Sequence, residues 1–117
     1  MSRRTERFSD LLLETLSELL LRDVKDPRIG PVTLTRVDVA PDLRQARVGY
    51  CTLGDAAGRE KAQMGLESAA KFMQGKVARL LRMRYTPEIH FEYDDGFEKA
   101  DEMNRLLKSV RPRDEPE

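Results

Sequence analysis

Residues 61–85 read KAQMGLESAAKFMQGKVARLLRMRY, and the two sides of this stretch organise what surrounds it. Apolar or small side chains recur at Ala62, Leu66, Ala69, Met73, Val77, Leu80 and Leu81. That three-and-four spacing is one helical stripe facing a core. At roughly 100° per residue, Lys71, Arg79 and Arg82 fall on the opposite side, with Lys76 at their margin. A straight helix over Ala62–Arg84 would run roughly 35 Å, long for a domain of this size. Ser68, Ala69 and Ala70 are all small, and Gly65 and Gly75 stand on either side. The spacing therefore predicts a break near Ala69–Lys71, dividing the stretch into two shorter helices.

Working outward, the chain of 117 residues has room for one core. Charged residues make up 36% and aromatics 6%, so the core is aliphatic and the surface heavily charged. Formal net charge is zero, which alone argues against a general nucleic-acid binder. The distribution argues otherwise. Residues 68–91 carry five bases against Glu88 alone, whereas residues 92–117 carry nine acids against five bases. Cys51 is the single cysteine, which excludes an internal disulfide and a multi-cysteine zinc site. MSRRTERFSD has charges but no apolar signal-peptide core after them, so a signal peptide is not expected, and the protein is read as cytoplasmic.

Upstream, Phe8, Leu11, Leu12, Leu16, Leu19, Leu20 and Val24 predict an amphipathic helix over residues 5–24, stopped by Asp26-Pro27 and Gly30-Pro31. Val32–Val39 reads as a strand whose alternation slips, because Val32 and Leu34 share one parity and Val37 and Val39 the other. A bulge near Thr35–Arg36 reconciles them. Ala46, Val48, Tyr50 and Thr52 mark a second strand, antiparallel to the first after a Pro41-Asp42 turn. Asp55 is positioned to cap the helix that follows. Ile89, Phe91 and Tyr93 alternate with Glu88, His90 and Glu92 in a third strand, parallel to the second through the helical crossover. Phe97, Ala100, Met103, Leu106, Leu107 and Val110 predict a last helix. The fold class is α+β: a two-layer α-β-β-α-break-α-β-α domain over residues 1–110, with a three-stranded sheet covered by helices on one face. Residues 111–117 read as a flexible tail.

Catalysis fits poorly. His90 is the only histidine, on the open side of its strand between Glu88 and Glu92, and reads as solvated or paired across strands. Cys51 reads as a small strand residue, and no phosphate-loop, dinucleotide or HExxH motif is present. No catalytic residue, metal site or cofactor is expected. Phosphate binding fits better. A basic helix face is ordinarily a solvated surface, but here no carboxylate lies between Ser68 and Glu88 to form the usual helix-surface pairs. Lys71, Lys76, Arg79 and Arg82 are the leading phosphate contacts, with Lys25 and Arg28 second; Arg84 is the brace of the helix end. Whether Arg3, Arg4, Arg7, Arg36, Arg44 and Arg47 join them depends on the fold. Aromatic platforms are few, with Phe72 the exposed candidate, which favours recognition of shape and backbone.

Several separated motifs together resemble the ribosome-binding factor A family. They are VKDPRIG at 24–30, VTLTRVDVAPDLRQARV at 32–48, the Leu53-Gly54 turn, LLRMRYTPEIHFEYDD at 80–95 and DEMNRLL at 101–107. The resemblance covers roughly residues 4–108. It implies a type II KH-like fold in which a kinked Ala-x-Gly joint replaces the usual GxxG loop. That joint falls at Ala69-Ala70-Lys71, where Lys71 stands in the glycine's place and Gln74 where the family often has arginine. It further implies a non-catalytic protein that binds the free small ribosomal subunit and 16S rRNA late in assembly; nothing in the sequence suggests an extended self-pairing surface, and a monomer is expected. The implied role includes 5′-end processing of that RNA, growth in the cold, and assembly GTPases as candidate helpers. Two other readings stand beside it. A KH-like module with a non-ribosomal RNA target would prefer free single strands to immature subunits. A protein–protein adaptor using the acidic last helix and open sheet face would bind without RNA and without salt sensitivity.

Overall fold

The computed structural model describes residues 3–96 together with Met103 and Leu106. Helix α1, Arg3–Arg22, buries Leu12, Leu16 and Leu19 at the predicted spacing, and starts and stops two residues earlier than expected. Strand β1, Val32–Val39, pairs antiparallel with β2, Gln45–Thr52. Their register slips between Leu34 and Arg36, so Thr35 is the extra residue. The bulge turns Leu34, Val37 and Val39 onto one buried face, as the broken alternation required. The β1–β2 turn closes with the Leu43 N–H donating to the Ala40 carbonyl, and Leu43 takes φ of 61°.

Helix α2 runs from Ala56 to Leu80. Asp55 caps it, its carboxylate accepting from the Gly58 N–H at 2.9 Å. Here the structure corrects the sequence reading. The helix is uninterrupted through Ala69, Ala70 and Lys71, and none of them takes a positive φ. Ser and Ala do not break a helix unaided. Gly65 serves contact, not bending: a Cβ there would lie 2.7 Å from Ile29 Cγ1 and 3.4 Å from Arg28 Cβ. The helix also ends earlier than expected, at Leu80. Arg82 takes φ of 52°, its N–H donates to the Arg79 carbonyl at 3.4 Å, and the Met83 N–H donates to Ala78 at 2.9 Å. This is the hydrogen-bond pattern of a Schellman cap with arginine where glycine is usual. Two capping bonds offset a left-handed penalty of about 1 kcal/mol. Leu80, expected in the buried stripe, is 60% exposed beyond the last packed turn.

Strand β3, Glu88–Tyr93, pairs parallel with β2, giving the order β1-β2-β3. Both helices lie on one face, where Ala46, Val48, Tyr50, Ile89 and Phe91 meet Leu12, Leu16, Leu66, Met73 and Val77. Inside this layer Gln63 is the main polar link. It accepts from the Tyr50 hydroxyl at 2.6 Å and donates to the Phe91 carbonyl at 2.8 Å, and burial pushes the Tyr50 hydroxyl's pKa up. The expected last helix and tail fall outside the described residues, except that Met103 and Leu106 are helical and exposed. Among the described residues no helix is long and apolar enough to cross a membrane.

Candidate RNA interface

The fold sorts the arginines and lysines into surfaces that differ in their supply of carboxylates. On the open sheet face, pleating and register bring Arg36, Asp38, Arg47 and Glu92 together. Arg36 lies 3.6 Å from Asp38 and 3.5 Å from Glu92, and Arg47 donates to Glu92 at 2.8 Å. The Glu92 hydrogen bond pushes the Arg47 pKa further up. These two arginines satisfy the sheet's own acids and do not join a phosphate-binding surface. His90 lies on the same face, 2.5 Å from Gln45 Oε1 and 3.4 Å from Glu88, the cross-strand pairing expected of it. The Thr35 hydroxyl, presented by the bulge, donates to Asp94 at 2.6 Å and holds that carboxyl below its ordinary pKa.

Along α2 the surface is different. Lys71 and Arg79 are exposed and have no carboxylate partner among the described residues. Lys71 borders a hollow between α2 and β3 shared with Glu67, Gln74, Gly75, Glu88 and His90, and is ion-paired to neither glutamate. Lys76 is partly occupied: its ammonium lies 3.9 Å from Asp23 and 5.6 Å from the centre of the Phe72 ring. Arg82 is not on the helix at all but at the left-handed position after it. The four leading residues therefore share one helix and its cap without forming a single stripe.

The second pair, Lys25 and Arg28, sits in the loop after α1, which Ile29 docks into α2 at Gly65. Arg28 is engaged locally. Its guanidinium reaches both Asp26 oxygens, the closest at 2.6 Å, and holds that carboxyl at a pKa of about 2. Arg28 thus shapes the loop, while Lys25 is exposed without an ion pair among the described residues. Two residues escaped the sequence reading. Lys61 lines a hollow with Arg28 and Leu53, and its signal was present, since it precedes Arg79 by about five helical turns. Tyr85 is 80% exposed with Arg84 5.9 Å above its ring, making a second aromatic platform besides Phe72.

Chemically, these surfaces are built for ionic contact more than proton transfer. Among the described residues the two carboxyls with shifted acidity, Asp26 and Asp94, are both held more acidic, the opposite of a general acid near neutrality. Among the described residues no three His, Cys, Asp or Glu side chains converge as metal ligands would.

A family model described as ribosome-binding factor A matches residues 4–107. Ribosome-binding factor A of Syntrophobacter fumaroxidans is 41% identical over 110 residues, spanning 92% of this chain and 94% of the relative. The solution NMR structure of a Thermotoga maritima protein described as a ribosome binding factor A superposes with a TM-score of 0.67 at 30% identity, covering 79% and 88% of the two chains. A Thermus thermophilus ribosome binding factor A, fitted as a homology model into the cryo-EM map of its 30S complex, gives a TM-score of 0.63 at 24% identity, with 74% and 91% covered. That last likeness speaks for the fold alone. The family model and the relative's identity over almost the whole chain are decisive: the chain belongs to the ribosome-binding factor A family.

Proposed function

We propose that this protein is a non-catalytic maturation factor of the small ribosomal subunit. It binds the free 30S subunit and its 16S rRNA late in assembly, supports 5′-end processing of that RNA, and matters most for growth in the cold. It works in the cytoplasm as a monomer, alongside assembly GTPases. Family membership supports the ribosomal target, as does the 30S complex of the Thermus thermophilus relative. The observation that carries RNA binding is the contrast in pairing: Arg36 and Arg47 are neutralised on the sheet, whereas Lys71 and Arg79 stand without carboxylates on α2. Such cations release counterions on meeting phosphate and give salt-dependent affinity. Lys25, Lys76 and Arg82 extend the same contact.

Sucrose-gradient fractionation at low temperature tests this reading. The protein is expected to migrate with free small subunits and not with translating ribosomes; migration only at the top of the gradient would sink the proposal. The double variant Lys71→Glu/Arg79→Glu should lose subunit binding and flatten its salt dependence, with stability within about 0.5 kcal/mol of the parent. Unaltered binding would remove α2 from the interface.

A further inference from the structure

We propose that the groove at the end of the molecule where α1 begins and α2 finishes takes an unstacked base of single-stranded RNA. The groove encloses about 530 Å³. Phe8, Leu11, Leu43, Leu81 and Met83 form its apolar lining and Arg4 its rim. It is an open apolar surface, with Leu11 45% and Leu43 38% exposed. Single exposed leucines need no explanation, but an apolar groove assembled from three separate elements does.

Two further observations concern this groove. The first is backbone conformation. Leu43 and Arg82 are the only non-glycine residues with positive φ among the described residues. Leu43 lines the groove, and Arg82 lies between Leu81 and Met83, which also line it. The β1–β2 turn and the cap after α2 account for these two conformations, and together they set the groove's shape before any ligand arrives.

The second is charge. Arg3, Arg4 and Arg7 occupy the first turns of α1, where the helix dipole favours anions, and form no ion pair among the described residues. Cations in that position disfavour the helix and suit an anionic ligand. Arg82 and Arg84 are exposed on either side of Met83 in the chain, and Tyr85 adds an exposed ring beside Arg84. An apolar floor with a cationic rim matches a base flanked by phosphates. A duplex would offer phosphates without a free base face, leaving the floor empty.

This inference rests on the reading of the protein as an RNA binder, and its test is separate from subunit sedimentation. A short labelled oligouridylate and an RNA duplex of equal length are titrated with the full chain by fluorescence anisotropy. Leu43→Asn removes the apolar side chain while asparagine tolerates the left-handed backbone. It is expected to weaken single-strand binding at least about fivefold and to leave duplex binding unchanged. Arg4→Glu is expected to weaken single-strand binding by a similar factor. Its melt should stay level or rise, since an acid there suits the dipole. Single-strand affinity unchanged in both variants would overturn the proposal, whatever the subunit experiment gives. Leu43-dependent binding of an acidic leucine-rich peptide, with oligouridylate binding indifferent to Leu43, would overturn it in favour of a protein ligand.

Discussion

The two halves of α2 do different work with similar residues. From Ala56 to Ser68 the helix is fastened on several sides. Asp55 caps its start, Arg59 lies 4.0 Å over the Tyr93 ring, Gln63 bonds to Tyr50 and Phe91, and Gly65 receives Ile29. From Ala69 to Leu80 only Met73 and Val77 are fully buried, and Phe72 and Leu80 are exposed. This half contains Lys71 and Arg79, without carboxylate partners among the described residues, and Gly75, with nothing within 4 Å of a built Cβ. One half anchors and the other presents. The two glycines show the contrast most directly, because one is required by a neighbour and the other is required by none.

Filling Gly65 should break that contrast hardest. A Gly65→Leu side chain would collide with the Ile29 side chain and crowd Arg28 Cβ and the Ile29 backbone nitrogen, and overpacking of this kind costs about 1–3 kcal/mol. The gain in helix propensity over glycine, up to about 1 kcal/mol, does not cover the upper part of that range. Thermal unfolding should therefore begin roughly 10 °C lower, with the 25–30 loop displaced. An unchanged melt would mean that the first half is not held by this contact.

The opposite substitution sharpens the other side. Gly75→Ala places a methyl in open space inside a helix and should stabilise the protein by about 0.5–1 kcal/mol. The melt should rise by a few degrees, about 3 °C. If subunit binding is kept, the second half works as a rigid platform. If binding falls as the melt rises, the second half must bend to engage, and the bending position is Gly75, not Lys71.

These two glycines also mark what could be read from the chain before it was folded. Local signals were sufficient for the bulge, because the parity slip between Leu34 and Val37 has one geometric remedy, and for the Asp55 cap. The parallel direction of β2 and β3 followed from the helical crossover, but that they are neighbours did not. Gly65 looked like a helix weakness because Ile29, its reason for being glycine, lies far away in sequence. Arg82 looked like a continuation of the basic stripe because the Schellman cap depends on the chain turning back toward β3. The candidate contacts were the least legible part. Arg36 and Lys71 are alike in composition, and only strand register shows that Arg36 already has Asp38 and Glu92.

The smallest expected effect concerns the loop that fastens the first half. Asp26 is held at a pKa of about 2, first by its hydrogen bond with the Arg28 side chain, against a usual value of 3.8. A folded-state pKa below the unfolded one means that the pairing's contribution is fully present above about pH 4. It is lost as pH falls through about 2. Arg28 is exposed and Asp26 is half-buried at the surface, so the change should be local: faster amide exchange in residues 26–30, with the core intact. An NMR titration of the Asp26 carboxyl should show a midpoint near 2 that moves up toward 3.8 in Arg28→Gln. Residues 69–80 contain no carboxylate and reach one only through the long Lys76–Asp23 pair, so exchange protection across the presenting half should stay constant over the same range. If both halves loosen together on acidification, α2 is one cooperative unit, and its division into an anchored and a presenting half fails.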